Sequence, residues 1–182
     1  YLVAQVGLVD TFIILGVIYL VIMGASSLYL KAPQQKHPTR TSKDRSTMYV
    51  HTHGMLANDA MKTWQFGALW WVFFINITCG IGLLSLASPM AQETIGMTSA
   101  AAASLVGIIG IFNGGGRIAW STISDYLGRA QTYILFFIIE IVAFYLLAQT
   151  NSALTFQILI LLIITCYGGG FACMPAYLAD LY

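Results

Sequence analysis

The residue that most needs a chemical explanation is Arg117, a permanently charged guanidinium set inside an apolar stretch after Asn113, Gly114, Gly115 and Gly116. A charge in such a segment costs roughly 2.5–3.5 kcal/mol to insert, so it implies a partner or an aqueous cavity. With Asp125 taken as the membrane surface, Arg117 lies eight residues inward, about 12 Å at the helical rise. Asn113 and Ser121 stand at i−4 and i+4 and give the helix one polar stripe. The planar fork of a guanidinium suits a small carboxylate bound through paired hydrogen bonds. A structural ion pair with Glu140 is the competing role, since that carboxylate lies about 13 Å from the same end of the next apolar segment. Glu140 as a proton carrier is a third role.

Tyr167 and Phe171 stand one helical turn apart, separated by Gly168, Gly169 and Gly170. Two readings follow: close helix packing over the glycines, or two rings enclosing a small ligand with the Tyr167 hydroxyl donating to it. Asn76, about 18 Å along its segment from Trp64, is suited to an interhelical hydrogen bond or to lining the same cavity. Trp64, Trp70 and Trp71 read as interfacial anchors. His37, His51 and His53 have no carboxylate or thiol at a metal-ligand spacing, so no metal site and no cofactor is expected. Hydrolase and phosphate-loop motifs are lacking, and the chain is not expected to be an enzyme.

The elements that would position these residues follow from composition. Of 182 residues 58% are hydrophobic and 8% charged, where a soluble domain carries about 25% charged side chains. A mean hydropathy of +0.78 leaves too little polar surface to coat a water-exposed globule, and the class implied is an all-α, polytopic transmembrane helical bundle that meets the lipid bilayer. A net charge of +1 excludes a nucleic-acid binder. Five spans are expected, Val6 to Leu30, Trp64 to Pro89, Ala100 to Trp120, Gln131 to Ala148 and Leu154 to Leu178. Residues 31–62 form one long polar loop, and the other connections, Met90 to Ser99, Ile123 to Ala130 and Gln149 to Ala153, are short enough for antiparallel hairpins.

The eight basic residues occur only in the long loop and at Arg117 and Arg129, which places the loop and the Ser124 to Ala130 turn on the cytoplasmic side. Cys166 and Cys173, seven residues apart on one helix, are about 10.5 Å apart and too far for a disulfide. The chain opens at Tyr1 inside an apolar stretch, as expected of a piece of a longer protein.

The segment NGGGRIAWSTISDYLGRA, Asn113 to Ala130, resembles the signature G-x-L-a-D-r-x-G-R-r between the eighth and ninth helices of the major facilitator superfamily. Asp125, Gly128 and Arg129 match it, whereas Ser121, Ile123, Tyr126 and Ala130 replace the usual Gly, Leu and two basic residues. Within that superfamily the chain is similar to the oxalate/formate antiporter-like, monocarboxylate-transporter-related group. The residues that carry this are Thr63 to Phe66, Asn76 to Thr78 with Gly80, SLASPMAQE from Ser85 to Glu93, NGGGR, and Tyr167 to Phe171 followed by MPAYLADLY.

The resemblance implies a partial fold of five spans: residues 1–30 as the sixth helix, 31–62 as the cytoplasmic loop, and 63–182 as helices seven to ten of the C-terminal bundle. It implies a secondary carrier of small organic anions, mono- or dicarboxylates such as oxalate, formate, lactate or pyruvate, by alternating access, with a counter-anion or protons as the coupled species. The family's substrate-contacting Arg on the eighth helix matches Arg117. Its paired aromatics on the tenth helix match Tyr167 and Phe171 by spacing, with Tyr for Trp and Phe for Tyr altering the hydrogen-bonding set. Asp125, Gly128 and Arg129 would form a cytoplasmic gate latch or simply tie the turn. The partners implied are the remaining helices of the same full-length chain, among them an eleventh helix with a second cation. A membrane scaffold or receptor-like protein that binds without translocating is the alternative on the same fold.

Overall fold

The computed structural model describes residues 2–29 and 56–182, all helix and connecting segments, and they divide into two units. Most of the expected loop, with its three histidines, lies outside the described residues, as do Lys31, Lys36, Arg40, Lys43 and Arg45. In the first unit a short helix α1 (Leu2–Val6) is followed by α2 (Leu8–Tyr29). Gly7 separates them at φ +85°, and the Thr11 hydroxyl donates to its carbonyl at 2.6 Å. The span expected from Val6 to Leu30 therefore starts two residues later, where the glycine breaks the helix.

The second unit holds α3 (Ala57–Ala60), α4 (Trp64–Glu93), α5 (Ser99–Leu127), α6 (Arg129–Leu147) and α7 (Ala153–Leu181). The single turn α3 lies inside the segment expected to be loop. Thr63 caps α4 by accepting from the Phe66 amide at 3.3 Å, and Thr98 caps α5 by accepting from Ala101 at 3.3 Å. Helix α5 runs seven residues past its expected end at Trp120, because the polar residues that follow end the apolar run but not the helix, which continues to Gly128. The expected turn around Gly128 thus shrinks to that one residue, which ends α5 and starts α6 at φ +95°, a conformation glycine adopts without strain. With α2, these helices make five segments long and apolar enough to cross a membrane, and the chain is a multi-pass integral membrane protein.

Helix α7 is the centre of the second unit and packs against α4, α5 and α6. Small residues let the backbones close, as they must where lipid removes the hydrophobic drive between helices. A Cβ on Gly116 would fall 2.6 Å from the carbonyl oxygen of Thr165 and 2.7 Å from its Cα. One on Gly169 would fall 2.6 Å from the Trp120 side chain. Gly168 lies against Asn113, Gly170 against the Asn76 amide, and Gly80 of α4 against the Tyr167 ring. The Trp120 indole N–H donates across the α5–α7 crossing to the Thr165 hydroxyl at 3.3 Å.

Two apolar clusters fill the interior. One gathers Leu83, Ala87, Leu105, Ile109, Phe156 and Ile160; the other gathers Leu69, Phe136, Cys166, Cys173 and Met174. Between them along α4 and α6 lies a buried polar layer of Asn76 and Glu140, with Tyr167 of α7 beside it. Pro89 and Pro175 are both accommodated inside helices. All three cysteines are free thiols, as the helical spacing of Cys166 and Cys173 requires.

Because the neighbour at Gly116 is backbone and cannot swing away, Gly116→Ala is expected to destabilise the full-length protein by about 1–3 kcal/mol. Gly115→Ala meets nothing within 4 Å among the described residues and is expected to match or slightly exceed the parent. Thermal melting in detergent compares the two.

Candidate functional site

Arg117 sits about 15 Å from the C-terminal end of α5, one residue beyond the tight contact at Gly116. That contact sets its direction: Gly116 is turned into α7, and the Arg117 side chain emerges on the exposed surface of the helix. The guanidinium carbon lies 5.5 Å from the centroid of the Phe171 ring, within cation–π range. Phe171 meets Tyr167 edge-to-face at 5.3 Å between centroids and Phe73 of α4 at 5.2 Å. One cation from α5, two rings from α7 and one from α4 thus form one chain of contacts.

Arg117 and Glu140 form no ion pair. Among the described residues the ion pairs are Lys62 with Asp59, and Arg129 with Asp125 and with Asp180. Glu140 is instead buried on α6 and accepts from the Asn76 side-chain amide at 3.2 Å. The matched depths of Arg117 and Glu140 along their helices do not amount to a contact, because the two side chains leave their helices in different directions. Asn76 takes the interhelical hydrogen bond and does not line the Arg117 surface. Asn113 turns its oxygen toward Gly168, where it is buried without a donor among the described residues. The polar stripe expected along α5 is therefore split, with Asn113 half-buried against Gly168 and Arg117 exposed beside Phe171.

The rings also divide their roles. Tyr167 is 8% exposed, pressed over Gly80, and its hydroxyl makes no hydrogen bond among the described residues. Phe171 is half-buried and carries the contact with Arg117. Phe73 was not singled out from sequence. Its spacing to Asn76 and Gly80, i, i+3 and i+7, puts all three on one face of α4 and is the signal that marks it. Two hollows among the described residues lie away from Arg117. One, of about 460 Å³, runs between α4 and α6 past Cys79 and Phe144, and one of about 300 Å³ lies near Tyr133 and Tyr177.

At the Gly128 end, Arg129 is bound three ways. Its Nη1 meets Asp125 of α5 at 2.7 Å and donates to the Ser124 hydroxyl at 2.9 Å, while Nε donates to Asp180 of α7 at 3.1 Å. Asp125 and Arg129 thus meet across Gly128, the three positions that match the family signature, and Ser124 and Asp180 join them from positions outside that match. Thr63 and the Tyr182 hydroxyl hydrogen-bond at the same end and hold the start of α4 to the end of α7.

A model of the Major Facilitator Superfamily matches residues 1–182, the whole chain. The chain belongs to that superfamily. It is similar to the oxalate:formate antiporter of Oxalobacter formigenes, with 30% identity over 130 residues, covering 69% of this chain and 30% of the relative. It is also similar to the uncharacterized MFS-type transporter YhjX of Escherichia coli K12, with 28% identity over 183 residues, covering 100% of this chain and 44% of the relative. The chain thus spans less than half the length of either curated relative. No solved structure matches it significantly.

In this superfamily member the Arg129 cluster joins three helix ends through one side chain that is 19% exposed. A double-mutant cycle between Arg129 and Asp180, read by thermal unfolding of the full-length protein, is expected to give a coupling of about 0.5–1 kcal/mol that shrinks as salt is raised.

Proposed function

We propose that the chain is the middle portion of a secondary carrier for small organic anions, in which Arg117 binds the carboxylate of the substrate. In this reading residues 1–30 are the sixth helix, 31–62 the cytoplasmic connection and 63–182 helices seven to ten, with Gly128 on the cytoplasmic side. The observation that carries it is the state of Arg117. Its guanidinium is exposed on a helix long enough to cross the membrane, has no carboxylate partner among the described residues, and rests beside an aromatic pair. A cation so placed attracts an anion of matching shape, and a planar carboxylate can accept two of its N–H bonds. The name of the Oxalobacter formigenes relative, an oxalate:formate antiporter, supports the carboxylate class.

The rings contribute shape and dehydration. Phe171 lies 5.5 Å from the guanidinium carbon, an interaction with the ring face that uses no N–H acceptor, while Tyr167 and Phe73 pack against Phe171 from α7 and α4. Exchange for a second anion, or passage with a proton, would follow from rocking of two helical bundles about the site. The Arg129 cluster lies wholly within one bundle, so its role in this reading is to keep α5, α6 and α7 moving as one body.

Counterflow of labelled oxalate, formate, lactate and pyruvate in vesicles holding the full-length protein tests the proposal. Arg117→Ala is expected to lower apparent affinity for the transported anion about 10- to 100-fold, the loss of one or two charge-assisted hydrogen bonds. Arg117→Lys keeps the charge but not the fork and is expected to fall between. Transport by Arg117→Ala at the parent's affinity would reject the assignment, and saturable binding without counterflow would favour the scaffold reading.

A further inference from the structure

The contact between Asn76 and Glu140 leaves an accounting problem. Asn76 is 0% exposed and Glu140 3% exposed, and they meet between α4 and α6 at mid-helix. The Asn76 Nδ2 donates to Glu140 Oε1 at 3.2 Å, yet Asn76 Oδ1 and Glu140 Oε2 are both buried with no donor among the described residues. Both orphans are acceptors, and buried acceptors without donors are costly. The titratable neighbours are the thiols of Cys79 on α4 and Cys166 on α7, while the Tyr133 hydroxyl on α6 is committed to the Gly170 carbonyl at 2.6 Å. The guanidiniums of Arg117 and Arg129 are engaged with Phe171 and with two aspartates.

We propose that Glu140 is a proton-binding site, held as a neutral carboxylic acid in a two-bond ring with Asn76. One added proton resolves both orphans. Glu140 Oε2–H donates to Asn76 Oδ1 while Asn76 Nδ2–H donates to Glu140 Oε1, and each side chain gives one bond and accepts one. The last torsion of a glutamate is broad, so turning the carboxyl to close the ring costs little. An ionised Glu140 would instead have one neutral donor among the described residues for two charged oxygens in a buried, largely apolar interior. The ring also explains why a carboxylate stands opposite an amide between two apolar clusters, since it pins α4 to α6 with no net charge. The proposal does not depend on what Arg117 binds.

Infrared spectra of the full-length protein in lipid vesicles at neutral pH test it. The expected result is a deuterium-sensitive carbonyl band of a neutral carboxylic acid that disappears in Glu140→Gln, with the ionised-carboxylate absorbance unchanged. Glu140→Gln can repeat both bonds through its own amide and is expected to melt near the parent, whereas Glu140→Ala melts well below it. Loss of ionised-carboxylate absorbance in Glu140→Gln, or a fall in its melting temperature as large as that of Glu140→Ala, would overturn the proposal and indicate a charged Glu140 paired with a cation from elsewhere in the chain. Both readouts are independent of transport.

Discussion

The close crossing of α5 and α7 over Gly116 and Thr165 is the contact on which the second unit depends. In hydrocarbon the apolar surfaces of two helices gain nothing from leaving lipid for each other, so adhesion rests on dispersion and on the few hydrogen bonds that cross the seam. Small residues allow both, because backbones that approach closely bring more atoms within contact range. The same contacts orient the chemistry. Gly168 receives Asn113, Gly170 receives Asn76, and Gly80 receives the Tyr167 ring, so each glycine seats a side chain singled out as functional.

Polar groups in this unit fall into three settings. The Trp120 indole, the Tyr133 hydroxyl and the Asn76 amide are spent inside, each on a partner in a neighbouring helix. Arg117 is not spent in this way: among the described residues its guanidinium lies 5.5 Å over a ring and makes no hydrogen bond. Exposed donors on a membrane-length helix and bonded ones in the core distinguish the surface proposed to bind an anion from the structural interior. The charged end is a third setting, where Arg129 can meet two carboxylates at once because water shares their solvation.

Much of the framework is legible in the residue pattern because the controlling quantities are local. Apolar length marks the five spans, and the resemblance at Asp125, Gly128 and Arg129 locates the tight connection between α5 and α6, although pattern alone made it several residues too long. The alignment of Tyr167 with Phe171 is likewise a property of one helix. Relations between helices are not local. Glu140 and Arg117 lie at matched depths, yet each helix's rotation about its own axis decides partnership, and for α5 that rotation is set where Gly116 presses against the Thr165 backbone. Asp180 escaped notice for the same reason, since it lies 51 residues from the arginine it binds. Phe73 was within reach, its face of α4 being defined by Asn76 and Gly80.

Pro175 carries a consequence for how α7 bends. A proline has no amide hydrogen, so the carbonyl four residues earlier loses its donor in the ladder, and that carbonyl belongs to Phe171. The helix is therefore weakest in bending just below the ring that carries Arg117, a turn and a half short of the Asp180 tie to Arg129. Flexure at that point would tilt the aromatic pair against an anchored base, giving α7 a compliant joint between its two rings and its fastened foot.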